Sequence, residues 1–194
     1  MLRLTCLTLC LLVSLVGCNN TTRVSREYET VSQELGRNPE AAKYFHQQGL
    51  KALDQGKSDE AEAAFKRALE ADVNYGPAHN NLGQLYFQQQ KLYLAAWEFQ
   101  YAAKLMPQKA EPLNNLGLVH EQAGQLDQAI TCFHDALKLA PENPEIIGNL
   151  ARTLIRRGDR TQEVRDLLQQ LVMRDSRPQW QAWAKEELVR MTNN

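Results

Sequence analysis

Three amides recur at one interval. "HNNLGQLY" at 79–86 and "LNNLGLVH" at 113–120 are close copies, and "IGNLARTL" at 147–154 is a weaker third. The second Asn of each falls at Asn81, Asn115 and Asn149, a step of 34 residues. A primary amide both donates and accepts hydrogen bonds, so a row of them can hold the backbone of an extended chain. Inside a helix Asn costs roughly 0.5 kcal/mol against Ala, so something else must keep it there. Either these amides grip a foreign peptide, or they tie one repeat to the next. A second group is cationic. Seven arginines lie between 152 and 177 against four acids, and Arg152 and Arg156 are four residues apart. Guanidinium groups pair in plane with carboxylates, so this pair suits an acidic ligand.

Catalytic arrangements fail on inspection. "QGKS" at 55–58 invites a phosphate-loop reading, but the Gly required five residues before Gly56 is Lys51, and a helical pattern, not a strand, precedes it. The histidines are His46, His79, His120 and His134, and no pair has the i, i+4 spacing with a Glu of a helical zinc site. His120 shares a column with Tyr86 and is expected to pack between helices. Cys132 is expected to be a small, half-buried apolar residue. No enzyme, cofactor or metal is expected. The net charge of -1 lacks the basic excess that nucleic-acid binding needs. The chain is 43% hydrophobic and 23% charged, the balance of a folded body.

The interval of 34 also organises the rest of the chain. One column reads Gly49, Gly83, Gly117, Ala151, and another Ala61, Ala95, Ala129, Glu163. Two more read Phe65, Phe99, Phe133, Leu167, and Ala68, Ala102, Ala136, Gln170. Small residues let two helices approach, and the Phe fills the space beside them. Gly56, Gly124 and Gly158 can take positive φ and end one helix, whereas row two has Gln90. Asp59, Asp127 and Thr161 lie where an oxygen can cap the next helix. Pro39, Pro77, Pro112, Pro144 and Pro178 lie near helix starts.

These columns resemble the tetratricopeptide repeat, a helix-turn-helix unit of 34 residues. The resemblance implies an all-α fold: a right-handed α-solenoid of antiparallel helix pairs. About four units would lie near 42–75, 76–109, 110–143 and 144–177, inside an array spanning 39–177. Residues 178–194 would form a capping helix and tail, with Trp180, Trp183, Ala184, Leu188 and Met191 on its covering face. The family binds partners on the concave face formed by the first helices. Carried over to this chain, that face holds Asn81, Asn115 and Asn149, with Asn80 and Asn114 beside them. It also holds Leu50, Phe87 and Leu118, and then Arg152 and Arg156. The Asn row is similar to the asparagine ladder of O-linked N-acetylglucosamine transferase. The carboxylate clamp of chaperone-binding repeats is not matched, because His46 and Leu50 stand where Lys and Asn are needed.

The first residues are a different material. "MLRLTCLTLCLLVSLVGC" has one cation, Arg3, and an apolar run of 13 residues from Leu4 to Val16. As a helix this run rises only about 20 Å, which suits a secretory leader better than a membrane span. "LVGC" resembles a bacterial lipobox, which implies that residues 1–17 are removed and that Cys18 is lipidated. The alternative is an ordinary cleaved leader. Residues 18–38 read as a polar tether, with "REYETVSQELG" as a possible short helix. The expectation is a non-catalytic adaptor or scaffold lipoprotein of the bacterial envelope, held through Cys18 and facing the periplasm. It would bind a peptide or partner protein and could aid assembly of an envelope complex, as pilotins do. Asn19 is compatible with outer-membrane sorting. The alternative function is a self-associating structural protein with Trp97 as an anchor; the sequence leaves the oligomeric state open.

Overall fold

The computed structural model describes residues 37–193. The apolar leader, Cys18 and nearly all of the tether lie outside the described residues. Nine helices form among them: α1 (Pro39–Asp54), α2 (Ser58–Ala71), α3 (Gly76–Gln88), α4 (Leu92–Leu105), α5 (Ala110–Gln122), α6 (Leu126–Leu139), α7 (Pro144–Arg157), α8 (Gln162–Arg174) and α9 (Pro178–Thr192). Consecutive helices pack as pairs, each pair stacks on the next, and α9 lies against α8. This is an all-α solenoid of helix pairs. None of its helices is long and apolar enough to cross a membrane.

Each pair closes on the same contact. A methyl carbon placed on Gly83 would lie 2.8 Å from the Phe99 ring, and one on Gly117 would lie 2.5 Å from Phe133. Both rings are fully buried, as is Phe65 beside Gly49. No side chain fits there while the ring stays, which explains why the Gly and Phe columns run together. In α7 and α8 the pair becomes Ala151 and Leu167, both buried. A Leu leaves the space that a methyl group needs. The apolar core is continuous in kind but forms two clusters, one centred on Phe65 and Phe99 and the other on Phe133, Leu150 and Leu168.

The turns follow the glycines. Gly56, Gly124 and Gly158 have φ of 73, 76 and 104°. Gln90 takes the same left-handed conformation at φ 60° without being a glycine, and Gln122 of the next pair donates to its Oε1. Side-chain caps come from Asn38, which accepts from Ala41 N–H at 2.9 Å, from Asn143, which accepts from Glu145 N–H at 2.9 Å, and from Thr161. Asp59 and Asp127 do not cap, contrary to the expectation from their position. The cap positions are Lys57 and Gln125, so both acids sit inside the first turn. There they oppose the positive end of the helix dipole.

The array ends on α9. Ala184 and Met191 are buried against the preceding pair. Trp180 and Trp183 are only half-buried, edge to face at 5.4 Å. Gly148 explains their placement: a methyl group there would lie 3.0 Å from the Trp180 ring. Asn80 and Asn114 occupy the corresponding position in earlier repeats. The column therefore turns to Gly where the next element presents an indole instead of another repeat.

Candidate functional site

The two Asn columns bond to each other across repeats. Asn115 Nδ2 donates to Asn80 Oδ1 at 3.2 Å, and Asn149 Nδ2 donates to Asn114 Oδ1 at 2.9 Å. Asn81 Nδ2 meets His46 Nε2 at 2.9 Å, which makes His46 the first member of the same series. Burial lowers the pKa of His46, so its ring is neutral and can accept that bond. Asn80 passes the chain on by donating to Glu111 Oε1 at 2.8 Å. Asn80, Asn114, Asn115 and Asn149 are buried, and Asn81 is half-buried. Of the two readings open in the sequence, the bonding pattern fits repeat-to-repeat ties. A buried amide already matched this way presents little to a passing peptide.

The groove proper lies further along the first helices. Phe87 of α3, Leu118, Glu121 and Gln122 of α5, and Arg152 and Arg156 of α7 line one cavity of about 450 Å³. The spacing of 34 puts these residues on one face of three successive first helices. A second cavity of about 180 Å³ adjoins it through Arg152 and is walled by Gln179, Trp180 and Trp183. Leu50 is exposed on α1 and lines neither cavity.

The cationic end of the groove is partly neutralised. Glu121 is buried and faces both arginines. Arg152 Nε donates to Oε1 at 3.1 Å, its second nitrogen donates to Oε2 at 2.8 Å, and Arg156 donates to Oε1 at 2.8 Å. Burial alone would raise the Glu121 pKa, but the hydrogen bonds from Arg152 and Arg156 outweigh it and hold the carboxyl below its usual range. One carboxylate against two guanidinium groups leaves one net positive charge. Arg156 remains half-exposed with unused donors facing the cavity. Arg152 is held more firmly. It also donates to Asn149 Oδ1 at 3.2 Å and lies over the Trp180 ring at 5.5 Å. Phe87, Leu118, Arg152 and Arg156, expected on one face, line one cavity, and Glu121, which is not among the residues expected to bind, lines it with them. The available signal was a single acid in the column Leu53, Phe87, Glu121, Ile155, with arginines 31 and 35 residues on.

The other reactive residue types are accounted for structurally. Cys132 is half-buried, and burial together with Asp135 pushes its thiol up to about 11, so it is not a thiolate at neutral pH. His79 is buried with Nδ1 at 2.6 Å from Glu98 Oε2 and Nε2 at 2.9 Å from Val73 O. His120 is not packed between helices as expected; its Nδ1 bonds Gln125 Oε1 at 2.7 Å at the rim of an outer cleft. Among the described residues, no group of three His, Cys, Asp or Glu is placed to hold a metal ion.

Family models described as "Tetratricopeptide repeat" match residues 46–110 and 120–184, together more than half the chain. Among solved structures, MamA aligns with TM-score 0.67 at 20% identity, covering 79% of this chain and 89% of that one. YrrB, "a TPR protein with an unusual peptide-binding site", aligns at 0.64 and 21% identity over 75% of each chain. The first TPR of Spaghetti (RPAP3), bound to the HSP90 peptide SRMEEVD, aligns at 0.62 and 22% identity over 64% of this chain and 99% of that one. At these identities the likeness concerns the fold. No curated protein sequence matches.

Proposed function

Since the chain belongs to the tetratricopeptide-repeat family, whose members generally mediate protein or peptide binding, we propose that it is a non-catalytic adaptor that binds a partner's peptide segment in the groove of its first helices. The observation that carries this reading is the 450 Å³ cavity in which Phe87 and Leu118 meet Arg152 and Arg156. Its size falls in the range of roughly 300–1,000 Å³ common for binding clefts. An apolar side chain of the peptide packs on Phe87 and Leu118. A carboxylate of the peptide takes the free donors of Arg156, since Glu121 neutralises only one of the two guanidinium groups. The buried amides do not enter this site. Peptide binding by the relatives YrrB and RPAP3 supports the reading by analogy.

The lipobox-like "LVGC" supports an envelope location: lipidation at Cys18, a polar tether through residues 18–38, and a periplasm-facing array at the outer membrane, assembling an envelope complex in the manner of a pilotin. Two measurements test these parts separately. An alkynyl palmitate label should enter the wild-type chain and be lost in Cys18→Ser; a label retained in that variant refutes the anchor. A partner captured by the full chain from native membranes should be lost with Phe87→Ala and with Arg156→Ala. Retention in both refutes the groove.

A further inference from the structure

The second helix of each pair carries an outward face, and the repeat itself provides the comparison. In α4 that face holds Tyr93, Leu94, Trp97 and Tyr101. At the same columns α2 has Asp59, Glu60, Ala63 and Arg67, and α6 has Asp127, Gln128, Thr131 and Asp135. Tyr93 is 83% exposed and Trp97 is 48% exposed. They wall a cleft of about 410 Å³ between α4 and the α5–α6 turn, on the side away from the peptide groove residues. Its lining continues through Ala96, Gln100, His120, Ala123, Gln125 and Gln128.

The two equivalent clefts are each crossed by a polar bridge, and the one on α2 keeps a charged cavity of about 290 Å³ lined by Asp59, Glu62, Ala63 and Lys66. Gln89 reaches back to Glu62 at 3.4 Å between α3 and α2, and Arg157 reaches back to Asp127 at 2.7 Å between α7 and α6. In the middle cleft the bridging positions are Ala123, in the column of Gln89 and Arg157, Ala96, in the column of Glu62, and Tyr93, in the column of Asp127. Two alanines leave the floor open. No charged side chain lines the cleft. What lines it is two aromatic rings, the aliphatic Leu92, Ala96, Val119 and Ala123, three primary amides and an imidazole.

The platform is also held in place. Trp97 stacks on Tyr101 with centroids 5.0 Å apart and 26° between planes. Both lie against His79, which Glu98 and Val73 O pin from two sides. The indole therefore has one face covered by Tyr101 and the rest presented toward the cleft, without the ordering loss of a free surface side chain.

We propose that this outer cleft is a binding site for neutral glycans, seating uncharged pyranose rings on Tyr93 and Trp97. The apolar C–H face of a pyranose matches an aromatic face, and its hydroxyls match groups that donate and accept, which Gln100, Gln125, Gln128 and His120 supply. A charged ligand would find no counter-ion in this lining. A purely apolar partner would leave three amides uncompensated on burial. This site is independent of the peptide groove.

The test titrates the full chain in mild detergent with two neutral trisaccharides, triacetylchitotriose and cellotriose, reading the heat of binding by calorimetry. A dipeptide amide of Leu and Phe is the apolar comparison, and sedimentation follows self-association. At least one trisaccharide should saturate with roughly millimolar affinity. Trp97→Ala and the double variant A96E/A123Q should each weaken it about tenfold or more, whereas Arg156→Ala should not. The double variant rebuilds the Glu62–Gln89 bridge, so it keeps the test valid should Trp97→Ala fail to fold. The proposal is overturned by failure of both sugars to saturate, by unchanged binding in A96E/A123Q, by binding of the dipeptide alone, or by a Trp97-dependent dimer that binds no sugar.

Discussion

Replacing Asn115 with Ala tests what the amide column is for. The substitution removes the Nδ2 donor that Asn80 Oδ1 accepts at 3.2 Å, and both residues are buried. A buried acceptor left without its donor costs about 1–3 kcal/mol. Ala returns roughly 0.5 kcal/mol of helix propensity. The net loss should be about 1–2 kcal/mol. It should also fall at one place, the junction between the second and third repeats, because stability in such arrays is a sum of unit and neighbour terms. Urea unfolding followed by circular dichroism should therefore show a lower midpoint and a broader transition as the two halves uncouple. Asn81→Ala, at a half-buried pair with His46, should cost less. The refuting result is a transition superimposable on wild type together with lost partner binding, which would put the amide on a foreign peptide.

Three further outcomes follow from the packing. Gly117→Ala should destabilise by about 1–3 kcal/mol by overpacking against Phe133, and adding Phe133→Leu should recover part of it, as Ala151 and Leu167 do naturally; thermal melts of the three proteins decide. Gln90→Gly should stabilise by roughly 1 kcal/mol, because Gln90 holds φ 60°, a conformation costly for any residue with a Cβ, and a lower denaturation midpoint would contradict this. His46 has its pKa lowered by burial, so its contribution is present above the ordinary value of 6.5 and is lost as pH falls below it; the wild-type loss of stability below that pH should shrink in His46→Gln, and an unchanged pH profile would refute the tie to Asn81.

Much of the fold was legible because the repeat constrains several columns at once. The Gly and Phe columns could be read as one contact before any coordinate, since a gap of one side chain and its filler recur at fixed spacing. The turn at Gln90 was visible only as a departure; that it keeps the left-handed turn without Gly depends on its neighbours. The groove was half legible. Repeat register puts Phe87, Leu118, Arg152 and Arg156 on one face, but it does not say which side chains meet. Glu121 lies in an otherwise apolar column, and its partners sit in the next repeat at spacings no single helix makes. The Asn columns were legible only as a choice between a foreign peptide and the next repeat. Their bonds join adjacent columns at an offset of 35 residues, which no single column displays.

The central claim is that a partner peptide lies across the first helices. A photo-crosslinking residue placed at exposed Gln122, in the cavity, or at exposed Ala63 on α2 tests it in cells carrying the full chain. The account expects an adduct of defined mass from Gln122, lost when Phe87→Ala or Arg156→Ala is added, and none from Ala63. An adduct from Ala63 but not Gln122, or a Gln122 adduct indifferent to both substitutions, would contradict it.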